Sequence, residues 1–235
     1  MTTLTIPAHF NGPPRSANGG WFAGSAAGLV RDSVPDADAV RVRLSAPPPL
    51  EVPLTVSGDA AAYRMTHGET LVGTAEPAAA LAPTPVGPVS FADAVAAGER
   101  YEGLAEHPFP TCYSCGTGRA DGLGLRPGSL GRADGAYAAA WVPTEVSVPI
   151  VWAALDCPGG WSAGIAGRPM VLGTMTAAVS GLPEVGEECV VMAWPGSSSG
   201  RRFDSGTALF GSDGRLLGRA DAVWIAVDPA AVRPR

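Results

Sequence analysis

The chain has 235 residues, 46% apolar and 16% charged, with a formal net charge of −6 at neutral pH. Enough apolar material is present to bury a core, and the negative balance argues against non-specific binding to nucleic acid or to an anionic membrane. All 16 basic residues are Arg, which excludes a Schiff-base lysine. The opening "MTTLTIPAHFNGPP" has no basic n-region and no apolar h-region, so a signal peptide is not expected. Gly, Pro or charge interrupts every apolar run before it reaches membrane-span length. A cytoplasmic protein is the expectation.

In chain order, "LTIPAHF" reads as a strand. Asn18 is then placed to cap a helix that opens at Gly19 in "GGWFAGSAAGLVRD". The helix is Ala-rich and nearly uncharged on all sides, which predicts burial. Gly24 and Gly28 each cost it roughly 1 kcal/mol relative to Ala, so another backbone or a ligand is expected to approach closely. "DAVRVRLSAP", "PLEVPLTVSG", "AAYRMTHG" and "ETLVGTAEPA" follow as strands, β-branched and bounded by Gly and Pro. A Pro- and Ala-rich link leads to "HPFPTCYSCG", where Cys112 and Cys115 form a C-x-x-C at a tight turn. The glycines after it forbid the helix that a redox C-x-x-C would open. His107, Cys112, Cys115 and Cys157 could converge in space, but their spacing does not require it, and reduced thiols with no metal are the expectation.

"AYAAAWVPTE" reads as the next strand, followed by "ALDCPGGWSAGIAG". "GGWSAGIA" from Gly159 repeats "GGWFAGSA" from Gly19, and predicts a second buried helix starting near Gly159, with Pro158 in its first turn and Asp156 as its cap. Four strand-like segments again follow. "SDGRLLGRADAV" is a hairpin with an Asp213–Gly214 turn, and it aligns with "THGETLVGTAEPA", Gly68 against Gly214. Each half is therefore a strand, a buried helix and a run of antiparallel strands. Residues 1–78 form the first half, 79–110 a linker and 111–235 the second half.

A sheet wrapped round one apolar helix is the hotdog pattern. "CYSCGTGRADGLGLRPG" resembles the "CFGCGPxNPxGLGLRF" opening of hotdog proteins related to phenylacetate-pathway thioesterases, with Arg119–Ala120–Asp121 in place of the usual Asn-Pro. "SANGGWFAGSAAGLV" is similar to the His-Gly-Gly helix start of that group, with Asn18 in place of His. The resemblance implies an α+β double hotdog, two antiparallel sheets each round a central helix, acting on an acyl-CoA or acyl-carrier-protein thioester without a cofactor.

Thioester hydrolysis needs a donor for the developing oxyanion and a carboxylate that activates water. The resemblance implies a backbone N–H at the helix start as donor, which points to Gly20 and Gly160; the competing reading is a tightly packed helix start. The phenylacetate-type pattern also places an Asp about two turns into the helix. On the alignment above, the matching positions are Ala27 and Gly167, and neither is acidic. Asp156 becomes the candidate base, with Glu145 next; the competing reading of Asp156, which base rates favour, is a helix cap. Asn18 either bonds a carbonyl or water, or only caps. Trp21 and Trp161 are candidates for substrate contact or core. Arg201 and Arg202, in a Ser/Gly-rich loop, are candidates for the phosphates of coenzyme A or for a solvated hairpin tip. The alternative function is a hotdog that binds an acyl thioester without cleaving it, with a hydratase third. A homodimer is expected, since related single-hotdog enzymes pair.

Overall fold

The computed structural model describes residues 2–232. The first half contributes β1 (Thr2–Leu4), α1 (Gly19–Ser33), β2 (Ala39–Leu44), β3 (Leu54–Asp59), β4 (Ala62–His67) and β5 (Thr70–Ala78). After a linking segment that carries α2 (Phe91–Gly98) come β6 (Gly128–Ser129), β7 (Tyr137–Trp141), α3 (Val148–Ser162), β8 (Met170–Val179), β9 (Cys189–Ser199), β10 (Arg202–Phe210) and β11 (Leu216–Ala226). The strand segments read from alternation and Gly/Pro punctuation are present except "LTIPAHF", of which only Leu4 lies in β1 and Ala8–Phe10 forms a short 3-10 helix. Gly68 and Gly214 both take positive φ, +57° and +79°, at matching hairpin turns.

The strands form one sheet in the order β1-β3-β4-β5-β2-β8-β11-β10-β9-β7-β6. Read outward from its middle, the order is β2-β5-β4-β3-β1 on one side and β8-β11-β10-β9-β7 on the other, so the two halves share one topology. They are joined edge to edge by the antiparallel β2–β8 pair, Val40 opposite Ala177 and Val42 opposite Met175. The two expected sheets are therefore continuous, and the join pairs two edges that would otherwise carry free N–H and C=O groups.

Helices α1 and α3 pack on one face of this sheet and on each other. Phe22 and Val30 of α1 and Val151 and Leu155 of α3 are fully buried in that core. Each such side chain contributes roughly 1.5–3 kcal/mol. The alternate residues of β7, β9 and β10 (Ala138, Met192, Ala208) face the other side, where Ala94 and Ala97 of α2 cover them.

Helices α1 and α3 run antiparallel at very close range. A Cβ on Gly20 would lie 2.5 Å from both Asp156 Cβ and Trp152 O, and one on Gly24 would lie 2.7 Å from Pro149 Cα. The close approach expected at Gly24 is thus made by the partner helix, whereas at Gly28, where it was also expected, nothing lies within 4 Å of a Cβ.

The second helix corrects the reading of the repeat. It starts at Val148, capped by Ser147 with Pro149 in its first turn, and Gly159 and Gly160 lie in its last turn. Pro158 is interior to it. That position is normally costly, because Pro has no N–H for the carbonyl four residues back. That carbonyl is Ala154 O, and the carbonyls on either side of it take side-chain donors, Ser114 Oγ–H to Ala153 O (2.7 Å) and Thr207 Oγ1–H to Leu155 O (2.8 Å). The eight repeated letters therefore sit at opposite ends of the two helices.

Candidate functional site

The start of α1 faces the middle of α3, and the polar groups of both converge there. Asn18 caps α1, its Oδ1 accepting from Trp21 N–H at 2.8 Å. Its Nδ2 donates to Asp156 Oδ2 at 3.1 Å, and Gly20 N–H donates to the same oxygen at 2.9 Å. Asp156 is 2% exposed, and its Oδ1 has no hydrogen-bond partner among the described residues. Burial pushes its carboxyl up to about 7, against the opposing pull of the Gly20 and Asn18 hydrogen bonds. Gly19 N–H forms no hydrogen bond among the described residues and stands at the positive end of α1.

A cavity of about 450 Å³ opens beside this cluster. Its apolar wall includes Leu44, Phe109, Trp161, Ile165, Leu172 and Trp224; Gly19, Asn18 and Asp156 line its floor, and Arg15 is exposed in its wall. A mostly apolar cavity with a few convergent polar groups is the usual form of a small-molecule site.

Several expected residues meet here and others do not. Asp156, Asn18 and Trp161 line the cavity. Asp156 caps no helix; it lies inside α3 and accepts from the first turn of α1. Gly20 N–H is engaged by that carboxylate. Gly160 is not at a helix start, and its end of α3 exposes carbonyls, the wrong polarity for an oxyanion. It serves packing, since a Cβ there would lie 3.0 Å from the Trp224 ring. Trp21 stacks on Phe10 with ring centroids 4.2 Å apart and is not in the cavity wall. Arg201 and Arg202 are exposed at the β9–β10 hairpin tip, with Arg202 bonded to Asp204 at 2.9 Å, and neither lines the cavity. Glu145 is exposed and accepts from Tyr113 Oη–H. Trp224, Leu172 and Arg15 join the site from segments that carry no local motif.

The cysteines also converge. Cys112, Cys115 and Cys157 are buried, with their sulfurs all within 4.8 Å of one another. The Cys112–Cys157 sulfur separation is 3.6 Å. Asn18 Nδ2 lies 3.7 Å from Cys112 Sγ and 3.8 Å from Cys157 Sγ, and Trp161 Nε1–H donates to Cys115 Sγ at 3.5 Å. Hydrogen bonds from Cys115 and Cys157 favour the Cys112 thiolate and hold its titration well below the ordinary thiol range.

No protein-family model matches the chain, and no curated protein sequence does. Solved structures do resemble it. A conserved protein of unknown function with a hot dog fold from Alicyclobacillus acidocaldarius shares 15% identity at TM-score 0.63, over 97% of this chain and 93% of its own. The dehydratase domain of a mycocerosic acid synthase-like polyketide synthase shares 11% identity at TM-score 0.62, over 96% and 90%. The acyl-CoA thioesterase II TesB2 from Mycobacterium marinum shares 12% identity at TM-score 0.55, over 92% and 93%.

The chain is a double hotdog.

In this double hotdog the halves do not carry one site each. Ala27 and Asp156 both stand nine residues beyond their helix caps, Asn18 and Ser147. The position that the earlier alignment assigned to Gly167 therefore belongs to Asp156, and the second helix does carry an acid two turns in. The composite site joins the α1 start to the α3 acid. The related cleft, between the α3 start and α1, is lined by Ala27, Val148 and Trp152 and has no carboxylate.

Proposed function

We propose that this double hotdog hydrolyses an acyl thioester at the composite site. The acyl chain occupies the apolar cavity, and the carbonyl oxygen points at Gly19 N–H on the start of α1. Water attacks the carbonyl carbon and passes its proton to Asp156 Oδ1, while Oδ2 stays held by Gly20 N–H and Asn18 Nδ2. The C–S bond then breaks, the proton goes to the leaving sulfur, and an acid and a free thiol depart. Arg15, the one guanidinium in the cavity wall among the described residues, faces the phosphates of a coenzyme A or phosphopantetheine carrier.

The observation that carries this reading is the convergence of a buried, half-partnered carboxylate and a free helix N-terminus in one apolar cavity. The test is thiol release across a panel of acyl-CoA chain lengths. Asp156→Asn is expected to lower turnover by roughly 10²–10⁴-fold, the usual worth of a positioned general base. Undiminished turnover in a folded Asp156→Asn protein rejects the mechanism. Saturable acyl-CoA binding without turnover by the wild type favours the binding-module alternative.

A further inference from the structure

We propose that Cys112, Cys115 and Cys157 form a binding site for one thiophilic divalent cation of the zinc class, with its fourth position open to the cavity. The inference does not depend on the thioesterase reading, and it departs from the expectation of reduced thiols with no metal.

Sulfur geometry is the first support. Tetrahedral zinc holds thiolates at about 2.3 Å, which spaces their sulfurs about 3.8 Å apart. The Cys112–Cys157 pair is at 3.6 Å and the third sulfur lies within 4.8 Å of both. An ion seated between the three needs only small side-chain rotations.

The scaffold around the sulfurs is the second support. The C-x-x-C turn is closed by Gly116 N–H donating to Cys112 O at 2.9 Å and Gly118 N–H to Pro110 O at 2.8 Å. A Cβ at Gly116 would lie 2.5 Å from Pro110 O and 2.6 Å from Cys112 O, so only glycine completes this turn. Ser114 Oγ–H then ties the turn to α3 through Ala153 O. Two rigid elements, the turn and α3, thus present their thiols to one point.

The donors aimed at the sulfurs are the third support. Asn18 Nδ2 lies near two of them and Trp161 Nε1–H meets the other. N–H groups directed at sulfur suit thiolates, the form that binds metal, and such partners orient the ligands of metal sites.

His107 is not the fourth ligand. Its Nδ1 accepts Phe109 N–H at 2.9 Å, so its proton sits on Nε2, which faces Cys115 O at 3.1 Å and Cys115 Sγ at 3.4 Å. His107 therefore supports Cys115. The fourth position is left to water or a ligand entering through the cavity that all three cysteines line.

The test is metal content and cobalt substitution on the intact protein. Protein purified without chelators is expected to hold one equivalent of zinc. Chelator-treated protein, shown by circular dichroism to remain folded, is expected to take up one equivalent of cobalt(II), with thiolate-to-cobalt charge-transfer bands and the intense visible bands of a tetrahedral site. Cys112→Ser, Cys115→Ser and Cys157→Ser are each expected to abolish the stoichiometric uptake, and Cys189→Ala to retain it. The titration of the folded wild type stands even where a variant fails to fold. Wild-type protein that takes up neither metal, uptake lost equally in Cys189→Ala, or a Cys112–Cys157 disulfide found by peptide mapping as the resting state overturns the proposal.

Discussion

Asp156 shows how one residue's role depends on what faces it. Its carboxylate is buried with one oxygen held and the other unpartnered, a condition that costs stability and that a reacting water, donating to it, would relieve. Asn18 holds that acid and caps α1 at once, so Asn18→Ala is expected to lose about 1 kcal/mol of stability as a lost cap and to lower turnover besides. A denaturation midpoint and a thiol-release rate on the same variant separate the two effects. Arg15→Ala is expected to raise KM for acyl-CoA with little change in kcat, since a phosphate contact far from the carbonyl binds ground and transition states alike. An unchanged KM would remove Arg15 from the site. Away from the site, Glu187 is held at about 2 by hydrogen bonds from the Arg215 side chain and from backbone N–H groups. Its folded value is depressed, so its contribution to stability is complete above its ordinary value of 4.5 and is lost as pH falls towards 2. The melting temperature of Glu187→Gln is accordingly expected to lie below wild type at pH 7, with the gap closing between pH 4.5 and 2.

At the scale of elements, the two central helices show where local pattern succeeded and where it misled. Asn18 and the Gly-Gly pair mark the start of α1 as expected. The same letters at Gly159 mark the end of α3, while its true start carries its own signal, Ser147 followed by Pro149 in the first turn. The interior Pro158 hid that start, because a proline reads as a helix boundary. Ser114 and Thr207, from a loop and a distant strand, bond the carbonyls on either side of Ala154 there. The glycines of α1 separate two roles that look identical in sequence. Gly20→Ala drives a Cβ into Trp152 O and Ala153 Cα, backbone atoms that cannot rotate away, and is expected to cost roughly 1–3 kcal/mol as overpacking. Gly28→Ala meets nothing within 4 Å and is expected to stabilise the helix by roughly 0.5–1 kcal/mol. Chemical denaturation of the two variants checks both signs.

At the scale of the whole molecule, the β2–β8 pair and the α1–α3 contact make the halves one body. A single cooperative transition is expected in calorimetry; two resolved transitions would mean that the halves fold independently. No helix among the described residues is long and apolar enough to cross a membrane, which agrees with the interrupted apolar runs. Composition, strand alternation and hairpin turns such as those at Gly68 and Gly214 determined the elements and the duplicated plan, because these signals act between residues close in the chain. Asp156 was also legible as the candidate acid. Its partners were not: the start of α1 lies about 140 residues away, and Cys112, Cys115 and Cys157 meet only when a loop docks on α3. Which groups face one another depends on helix register and on how closely two helices approach, and these are decided by packing across the whole sheet.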